Sequence, residues 1–135
     1  MKHVTMRVPV QTSAREHIID ITREVNDAVR KSGIKDGICV VFSMHTTCGI
    51  TINENADPDV KDDLIHHLAR VYPASERYRH AEGNSDAHLK TSTVGPSVTA
   101  IVEGGKLVLG TWQGIMLCEF DGPRHRVVAV HVQGD

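Results

Sequence analysis

The chain has 135 residues, of which 40% are hydrophobic and 24% charged, values typical of one compact domain spanning residues 1–135. Its formal net charge of −2 predicts no general attraction to nucleic acid or to an anionic membrane. No apolar run approaches the roughly 20 residues of a membrane span, and the start lacks a secretory signal. Cys39, Cys48 and Cys118 are odd in number and lie in apolar surroundings, so we expect reduced thiols in a cytoplasmic protein.

The first part of the chain predicts a strand followed by a helix. Apolar and polar residues alternate over residues 3–10, the pattern of a half-buried strand. Ser13 and Glu16 then form a capping box, which predicts a helix that ends near Gly33. Apolar side chains recur along this helix at helical spacing: Ile18, Ile21, Val25, Ala28 and Val29.

Two further strands and a second helix are predicted next. The run 37–44 shows no alternation, so a strand covered on both faces is expected. Alternation around Ile50 and Ile52 predicts the next strand. Asp57 followed by Pro58 is typical of a helix start. The buried face of this helix is predicted from its apolar spacing: Val60, Leu64, Leu68 and Val71.

The second half begins with a long polar loop, 74–86, and ends as a strand meander. Ser85 or Asp86 can cap a short helix that runs to about Thr93. Gly104-Gly105 predicts a tight hairpin turn. The strands of the meander are predicted at 98–102, 106–109, 112–120 and 127–130. The fold class predicted is α+β: a single domain with a largely antiparallel sheet and two main helices.

The stretch from His80 to Lys90 is the strongest candidate for a functional site. It holds two imidazoles, two carboxylates and an ammonium, with almost nothing that could fill a core. Ordering such a segment costs roughly 1–2 kcal/mol per residue, so it is either a disordered loop or a binding site, and we expect a ligand to bind there. Two other polar clusters stand at the ends of strands, His45-Thr46-Thr47 and the stretch from Asn53 to Asp57.

A metal site is one interpretation of these clusters. His45, His80 and His88 would make a three-histidine site with an open position, and imidazole favours zinc. Four carboxylates would instead suit magnesium: Glu82, Asp86, Glu54 and Asp57. The spacing of His80 and His88 matches no established zinc motif, and hydrogen-bonding loop histidines explain it as well. A divalent ion is therefore expected, with zinc and magnesium both open.

An anion site is a second interpretation of the same stretch. Gly83 and Asn84 tolerate left-handed backbone angles, and the helix that follows would offer free N–H groups. Lys90 could add a point charge for a phosphate. Glu82 and Asp86 would repel a phosphate unless a divalent cation bridged them.

Three other candidates have ordinary structural explanations beside the functional ones. Cys48 lies close to His45 and could be a nucleophile, but a small buried cysteine is the favoured interpretation. Trp112 could line a pocket or an interface, or could pack in the core. Arg124 and Arg126 could pair with carboxylates or a phosphate, or could be surface charges.

Nearly the whole chain resembles the YjbQ-like family, whose members carry the name secondary thiamine-phosphate synthase. The resemblance rests on a series of motifs: His45-Thr46-Thr47, Ile52-Asn53-Glu54-Asn55 with Asp57-Pro58, His80-x-Glu82-Gly83-Asn84 with Ala87-His88-Leu89-Lys90, Ser97 through Gly105 into Gly110-Thr111-Trp112-Gln113-Gly114-Ile115, and Glu119-Phe120-Asp121-Gly122-Pro123-Arg124. It implies an α+β fold that assembles as a homotrimer. It also implies that a pyrimidine diphosphate is joined to a thiazole phosphate with release of diphosphate.

Roles for individual residues follow from combining the motifs with this resemblance. Catalytic roles are expected for four residues: His88, Asp57, Glu54 and Lys90. Contacts with a phosphorylated small-molecule substrate are expected for five: Asn53, Asn55, Gly83, Asn84 and Trp112. Two alternatives stay open: a metal-dependent hydrolase of a phosphorylated or acyl metabolite, and a non-enzymatic metabolite-binding trimer.

Overall fold

A computed structural model describes all 135 residues and contains eight strands and three helices. In chain order the elements are β1 (Lys2–Gln11), β2 (His17–Asp20), α1 (Thr22–Ser32), β3 (Gly37–Ser43), β4 (Cys48–Glu54), α2 (Pro58–Val71), α3 (Ser85–Val94), β5 (Ser97–Glu103), β6 (Lys106–Val108), β7 (Gln113–Glu119) and β8 (His125–Gly134). All strand pairs are antiparallel. The predicted α+β class is confirmed.

The strands form two sheets that pack face to face. The larger sheet has the order β1-β8-β3-β5-β6 and the smaller has the order β2-β7-β4. The inner face of the larger sheet packs against α1 and the smaller sheet in the main core, which includes Val29, Val41 and Leu117. Along β7 the side chains alternate, so Met116 and Phe120 face the other way and pack with residues of α2 and α3. The smaller sheet is therefore buried on both faces.

Most predicted elements are present within a few residues of their predicted bounds. The alternating run at the start forms β1, and the helix after Asp57 forms α2. Gly33 ends α1 at a φ of 72°, and the Gly104-Gly105 turn joins β5 to β6. None of the three helices has the length and apolar character to cross a bilayer.

The predicted start of the first helix is wrong. Residues after Ser13 do not begin a helix, and His17–Asp20 instead pairs with β7 as strand β2. The helix begins at Thr22, whose backbone N–H donates to the Asp20 carboxylate at 2.9 Å. The spacing of Ile18 and Ile21 suits a helix, but pairing with β7 decides for a strand, and the two side chains pack in different core clusters.

One predicted buried face is wrong and a second is formed only in part. β3 is not covered on both faces, because Ile38 and Phe42 on the outer face of the larger sheet are 37% and 44% exposed. On α2, Leu64 and Leu68 pack partly buried against the core as predicted, but Val71 is 65% exposed. A single chain therefore leaves apolar surface uncovered on both elements.

Gly37 is a position where the fold requires glycine. A Cβ at Gly37 would overlap the backbone carbonyl oxygen of Gln133 in β8. We expect Gly37→Ala to lower the free energy of unfolding by at least about 2 kcal/mol, because one of the two strands must move. Urea denaturation at fixed protein concentration measures this. The control Glu103→Ala, on an exposed side chain of β5, should stay within about 0.5 kcal/mol of the native chain. Equal stability of the two variants would contradict the strand packing described.

Candidate functional site

An open cleft of about 360 Å³ lies where the β3–β4 loop, the start of α3 and the turn before β8 meet. Met44 is its one hydrophobic lining residue. The other lining residues carry charges, amides, imidazoles or hydroxyls: His45, Thr46, Thr47, Glu82, Asn84, His88, Asp121, Arg124 and Arg126. Such a lining suits a small polar or charged ligand.

A buried ion pair between Glu119 and Arg126 lies at this cleft, and Arg126 is one of the lining residues. The Glu119 side chain is fully buried and accepts hydrogen bonds from Arg126 Nε at 2.8 Å and from Thr12 Oγ1 at 2.7 Å. Burial raises the pKa of the Glu119 carboxyl, but the bonds from Arg126 and Thr12 outweigh burial and hold the pKa below its ordinary value. Arg126 also donates to Thr47 Oγ1 at 2.8 Å. Because Glu119 ends β7 and Arg126 lies in β8, the pair joins the two sheets at the cleft.

His45 is fixed as a hydrogen-bond donor toward the cleft. The backbone N–H of Val127 donates to His45 Nε2 at 2.9 Å. A neutral imidazole has one donor and one acceptor nitrogen, so Nδ1 carries the proton and has no partner within the chain. Burial lowers the pKa of His45, and the charge of Arg126 lowers it further. In this tautomer Nε2 is occupied and Nδ1 carries a proton, so the ring has no free lone pair for a metal, and the structure does not support the predicted role of His45 as a metal ligand.

His80 and His88 do come together, as predicted. Their rings pack edge to face with centroids 5.1 Å apart, and His80 Nε2 lies 3.7 Å from the Glu82 carboxylate. His88 lines the cleft, whereas His80 stands beside it. No three His, Cys, Asp or Glu side chains converge closely enough to hold a metal ion. The predicted three-histidine site is therefore not formed within one chain.

Lys90 is buried away from the cleft, which corrects its predicted phosphate and catalytic roles. Its Nζ lies 2.8 Å from Asp86 and 3.4 Å from Glu16, and its side chain is 1% exposed. Asp86 is fully buried and also accepts from Arg15 at 3.0 Å. Burial raises the pKa of Asp86, but the bonds from Arg15 and Lys90 leave it below its ordinary value. These charges anchor α3 to the segment before β2.

The start of α3 lies at the cleft edge without a side-chain cap. Asn84 precedes the helix, but its Nδ2 donates to Asp121 at 2.8 Å instead of capping the first turn. Gly83 has the expected positive φ of 86°, whereas Asn84 has a φ of −127° and is not left-handed. Gly83 does not line the cleft. The helix N-terminus still supplies N–H groups and a partial positive charge there.

The second predicted cluster lies at the opposite end of the smaller sheet. Cys48 at the start of β4 pairs with Glu119 beside the cleft, and Glu54 at its end pairs with Gln113. Seven strand residues at about 3.4 Å each separate these ends by about 20 Å. Five predicted residues lie at this far end and do not join the histidines within one chain: Asn53, Glu54, Asn55, Asp57 and Trp112.

The residues at this far end mostly have local structural partners. Asp57 accepts from the Asp59 backbone N–H at 2.9 Å, which confirms it as the cap of α2. Asn55 donates to Asp20 at 2.9 Å. Trp112 is 64% exposed, so it does not pack in the core of one chain. Cys48 is buried, and burial raises the pKa of its thiol to about 12, which rules it out as a thiolate nucleophile.

Sequence reasoning missed two carboxylates that organise the cleft, Glu119 and Asp121. Asp121 accepts from Asn84 and from Arg124 Nη2, the latter at 3.1 Å. The sequence does contain a signal for this arrangement, because these two carboxylates precede the turn at Gly122-Pro123 and two arginines follow it. Their pairing depends on the antiparallel return of β8 beside the loop at Thr47, which local sequence does not reveal.

The comparisons with known proteins agree with this fold. The family model described as UPF0047 protein YjbQ-like matches residues 6–135. The chain belongs to this family. The UPF0047 protein YugU of Bacillus subtilis is 53% identical over 126 residues, which cover 93% of this chain and 96% of that protein. A UPF0047 protein of Methanocaldococcus jannaschii is 52% identical over 126 residues, which cover 93% of this chain and 91% of that protein.

Two solved structures of YjbQ-like proteins resemble the fold closely. An uncharacterized conserved protein from Clostridium acetobutylicum superposes with a TM-score of 0.93 at 53% identity, covering 95% of this chain and 99% of that one. A protein of unknown function from Sulfolobus solfataricus gives a TM-score of 0.95 at 36% identity, covering 99% of both chains.

These comparisons correct the expected activity. The relatives are described only as UPF0047 or YjbQ-like proteins, as uncharacterized or as of unknown function. None is described as a thiamine-phosphate synthase, and none as a hydrolase or a metabolite-binding protein. Membership of this family therefore does not imply thiamine-phosphate synthase activity, and that prediction is wrong.

The buried charges around Lys90 generate a stability prediction. We expect Asp86→Ala to lower the free energy of unfolding by about 3–5 kcal/mol, because Lys90 would remain as a buried charge without its main partner. Replacing both residues, as Asp86→Ala with Lys90→Met, should restore much of the loss. Urea denaturation at fixed protein concentration measures both variants. A double variant as unstable as the single one would contradict the charge pairing described.

The same carboxylate predicts a pH dependence. Because the folded-state pKa of Asp86 is lowered, its contribution to stability is present above the unfolded pKa of about 3.9. That contribution is lost as the pH falls through the folded-state pKa. The double variant should therefore lose less stability than the native chain when the pH is lowered from about 5 to about 3. Parallel losses in the two proteins would contradict this role of Asp86.

Proposed function

We propose that this YjbQ-like protein binds the phosphate group of a small hydroxyl-bearing metabolite in the cleft. We also propose that the His88 imidazole takes a proton from the bound metabolite or gives one to it. The observation that carries the proposal is the meeting of fixed hydrogen-bond donors and an unpartnered imidazole in one polar cleft. The family supplies no activity, so the proposal rests on this geometry.

The donors suit a phosphate. His45 presents Nδ1–H because its other nitrogen accepts from Val127. Arg124 uses Nε and Nη2 on Asp121, so its Nη1 remains available for a ligand. Thr46 is exposed in the lining and adds a hydroxyl. The uncapped start of α3 adds the partial positive charge that favours an anion.

The acceptors in the cleft restrict the rest of the ligand. Glu82 and Asp121 also line it, and carboxylates repel a second anionic group but accept hydrogen bonds from hydroxyls. A phosphate monoester that carries hydroxyl groups can place its anion near Arg124 and its hydroxyls near the carboxylates. This favours a sugar phosphate or polyol phosphate as the substrate class.

His88 is suited to acid–base work in this cleft. It lies in the second turn of α3, a rigid element anchored by Asp86 and Lys90. No hydrogen bond within the chain engages its ring, which only packs edge to face with His80. A histidine without a fixed partner can give or take a proton from a bound molecule. The divalent ion expected from the sequence stays a prediction, and this proton transfer does not use it.

Phosphate binding tests the proposal directly. Titration with glycerol phosphate, followed by amide NMR, should shift signals of Thr46, Asn84 and Arg124. Arg124→Gln should weaken binding about tenfold, because a charge-assisted hydrogen bond contributes about 1.5 kcal/mol. His45→Phe should weaken it as well by removing the Nδ1–H donor. His88→Gln should bind within about threefold of the native chain, since His88 is assigned the proton and not the phosphate.

His125→Gln is the matched control for His45→Phe, because His125 is exposed and does not line the cleft. It should bind glycerol phosphate like the native chain. Native affinity in Arg124→Gln and His45→Phe, or signals that shift only outside the cleft, would contradict the proposed phosphate site.

We also propose that the protein assembles as a homotrimer through the outer face of the larger sheet. Ile38 pairs with Ile101, which pairs with Val108, so three exposed apolar side chains form a row across three strands. They are 37%, 60% and 47% exposed, and Phe42 adds a fourth at 44%. Such a patch is typical of an interface. The number three rests on the family resemblance.

Light scattering on purified protein tests the trimer. We expect the native chain to have three times the monomer mass and Ile101→Glu to dissociate, because a buried unpaired carboxylate is costly in an apolar interface. Leu89→Glu, at a residue of α3 that is 38% exposed, is the control and should remain trimeric. A monomeric native chain, or a trimeric Ile101→Glu, would contradict this interface.

A further inference from the structure

A second groove, of about 480 Å³, lies away from the cleft and shares no residue with it. It is formed by the end of α1, the segment after it and the β5–β6 hairpin. Its lining consists of one amide, three apolar residues, three glycines and three cations, which are Arg30, Lys35 and Lys106.

The charged side chains that line this groove are all cationic. Arg30, Lys35 and Lys106 line it, and no carboxylate does, although the chain as a whole has a net charge of −2. Lys35 and Lys106 make no ion pair within the chain. Arg30 pairs only with Asp27, which lies one turn earlier on α1, at a distance of 3.2 Å. The Arg30 side chain is 73% exposed. Three cations around one concavity attract an anion.

Lys35 is held over the groove by the hairpin turn. Gly104 and Gly105 have φ of 59° and 76°, and the N–H of Gly105 donates to the Lys35 carbonyl at 2.9 Å. The Cδ and Nζ atoms of Lys35 each lie 3.4 Å from the position that a Cβ on Gly105 would take. The Lys35 side chain therefore folds back along the turn, which places its ammonium at the groove wall.

The remaining lining determines what kind of anion fits. Half-buried Leu107 gives the groove an apolar part, whereas the lining residues Val29 and Ile34 are buried in the core. The N–H of Leu107 donates to Asn26 Oδ1 at 3.3 Å, so this backbone donor of the edge strand β6 is already engaged and is lost to a pairing strand. A small molecule with an apolar body is therefore a better fit than a peptide strand.

We propose that this groove binds a small organic anion, with a carboxylate, phosphate or sulfonate group held by Lys35, Lys106 and Arg30 and an apolar body on Leu107. It is a second ligand site, independent of the phosphate cleft.

Two probes of nearly the same shape test the site on the full chain. Anilinonaphthalene sulfonate carries the anion, and phenylnaphthylamine has the same aromatic body without it. In amide NMR titrations, the sulfonate should shift Gly33, Gly104, Gly105 and Leu107, and should bind more tightly than the neutral probe. Lys35→Gln combined with Lys106→Gln should weaken sulfonate binding by about threefold to tenfold, the range for losing two exposed charge contacts.

The matched control removes two exposed cations elsewhere, as Lys2→Gln with Arg77→Gln. It should keep native affinity, and so should the cleft variant Arg124→Gln, which separates this site from the proposed phosphate site. The proposal is overturned if the control weakens binding as much as the groove variant. It is also overturned if the neutral probe binds as tightly as the sulfonate, or if the shifted amides lie on α2 or the outer sheet face.

Discussion

The ion pair between Glu119 and Arg126 is the interaction on which the cleft depends. It joins the end of β7 to β8, and so connects the two sheets at one edge. Thr12 and Thr47 complete its hydrogen bonds, which bring in the end of β1 and the β3–β4 loop. A buried pair contributes little net stability compared with an apolar pair of similar size, but removing one partner is costly. The pair therefore specifies where these four segments meet.

The properties of the cleft follow from this arrangement. Partial burial and the positive charge of Arg126 lower the pKa of His45, and Val127 next to Arg126 fixes its tautomer. On the other wall, buried Asp86 and Lys90 hold α3 and so place His88. Two buried charge clusters thus position His45 as a hydrogen-bond donor and place His88 without a hydrogen-bond partner in the chain. That division of roles distinguishes this cleft from a symmetric metal site, in which every imidazole must offer a lone pair.

The sequence predicted those features that depend on local patterns. Alternation located β1, and Asp57 located the start of α2, because periodicity and caps are short-range signals. The sequence-based prediction failed where tertiary pairing determines the secondary structure. A capping box is present at Ser13, but residues 17–20 pair with β7 as strand β2. The prediction also grouped Asn53 with the histidines, although β4 carries Asn53 to the far end of the sheet. The apolar run of β3 was recognised, but both of its faces were predicted to be covered, whereas its outer face is exposed in one chain.

The tautomer and charge of His45 test the central claim most directly. Nitrogen-15 NMR of the imidazole rings, recorded in a pH series, reports which ring nitrogen carries the proton and where the ring titrates. The buried-charge arrangement predicts a neutral ring with the proton on Nδ1 at roughly pH 7, and a pKa below the ordinary value of about 6.5. A doubly protonated ring at that pH, or a proton on Nε2, would contradict it.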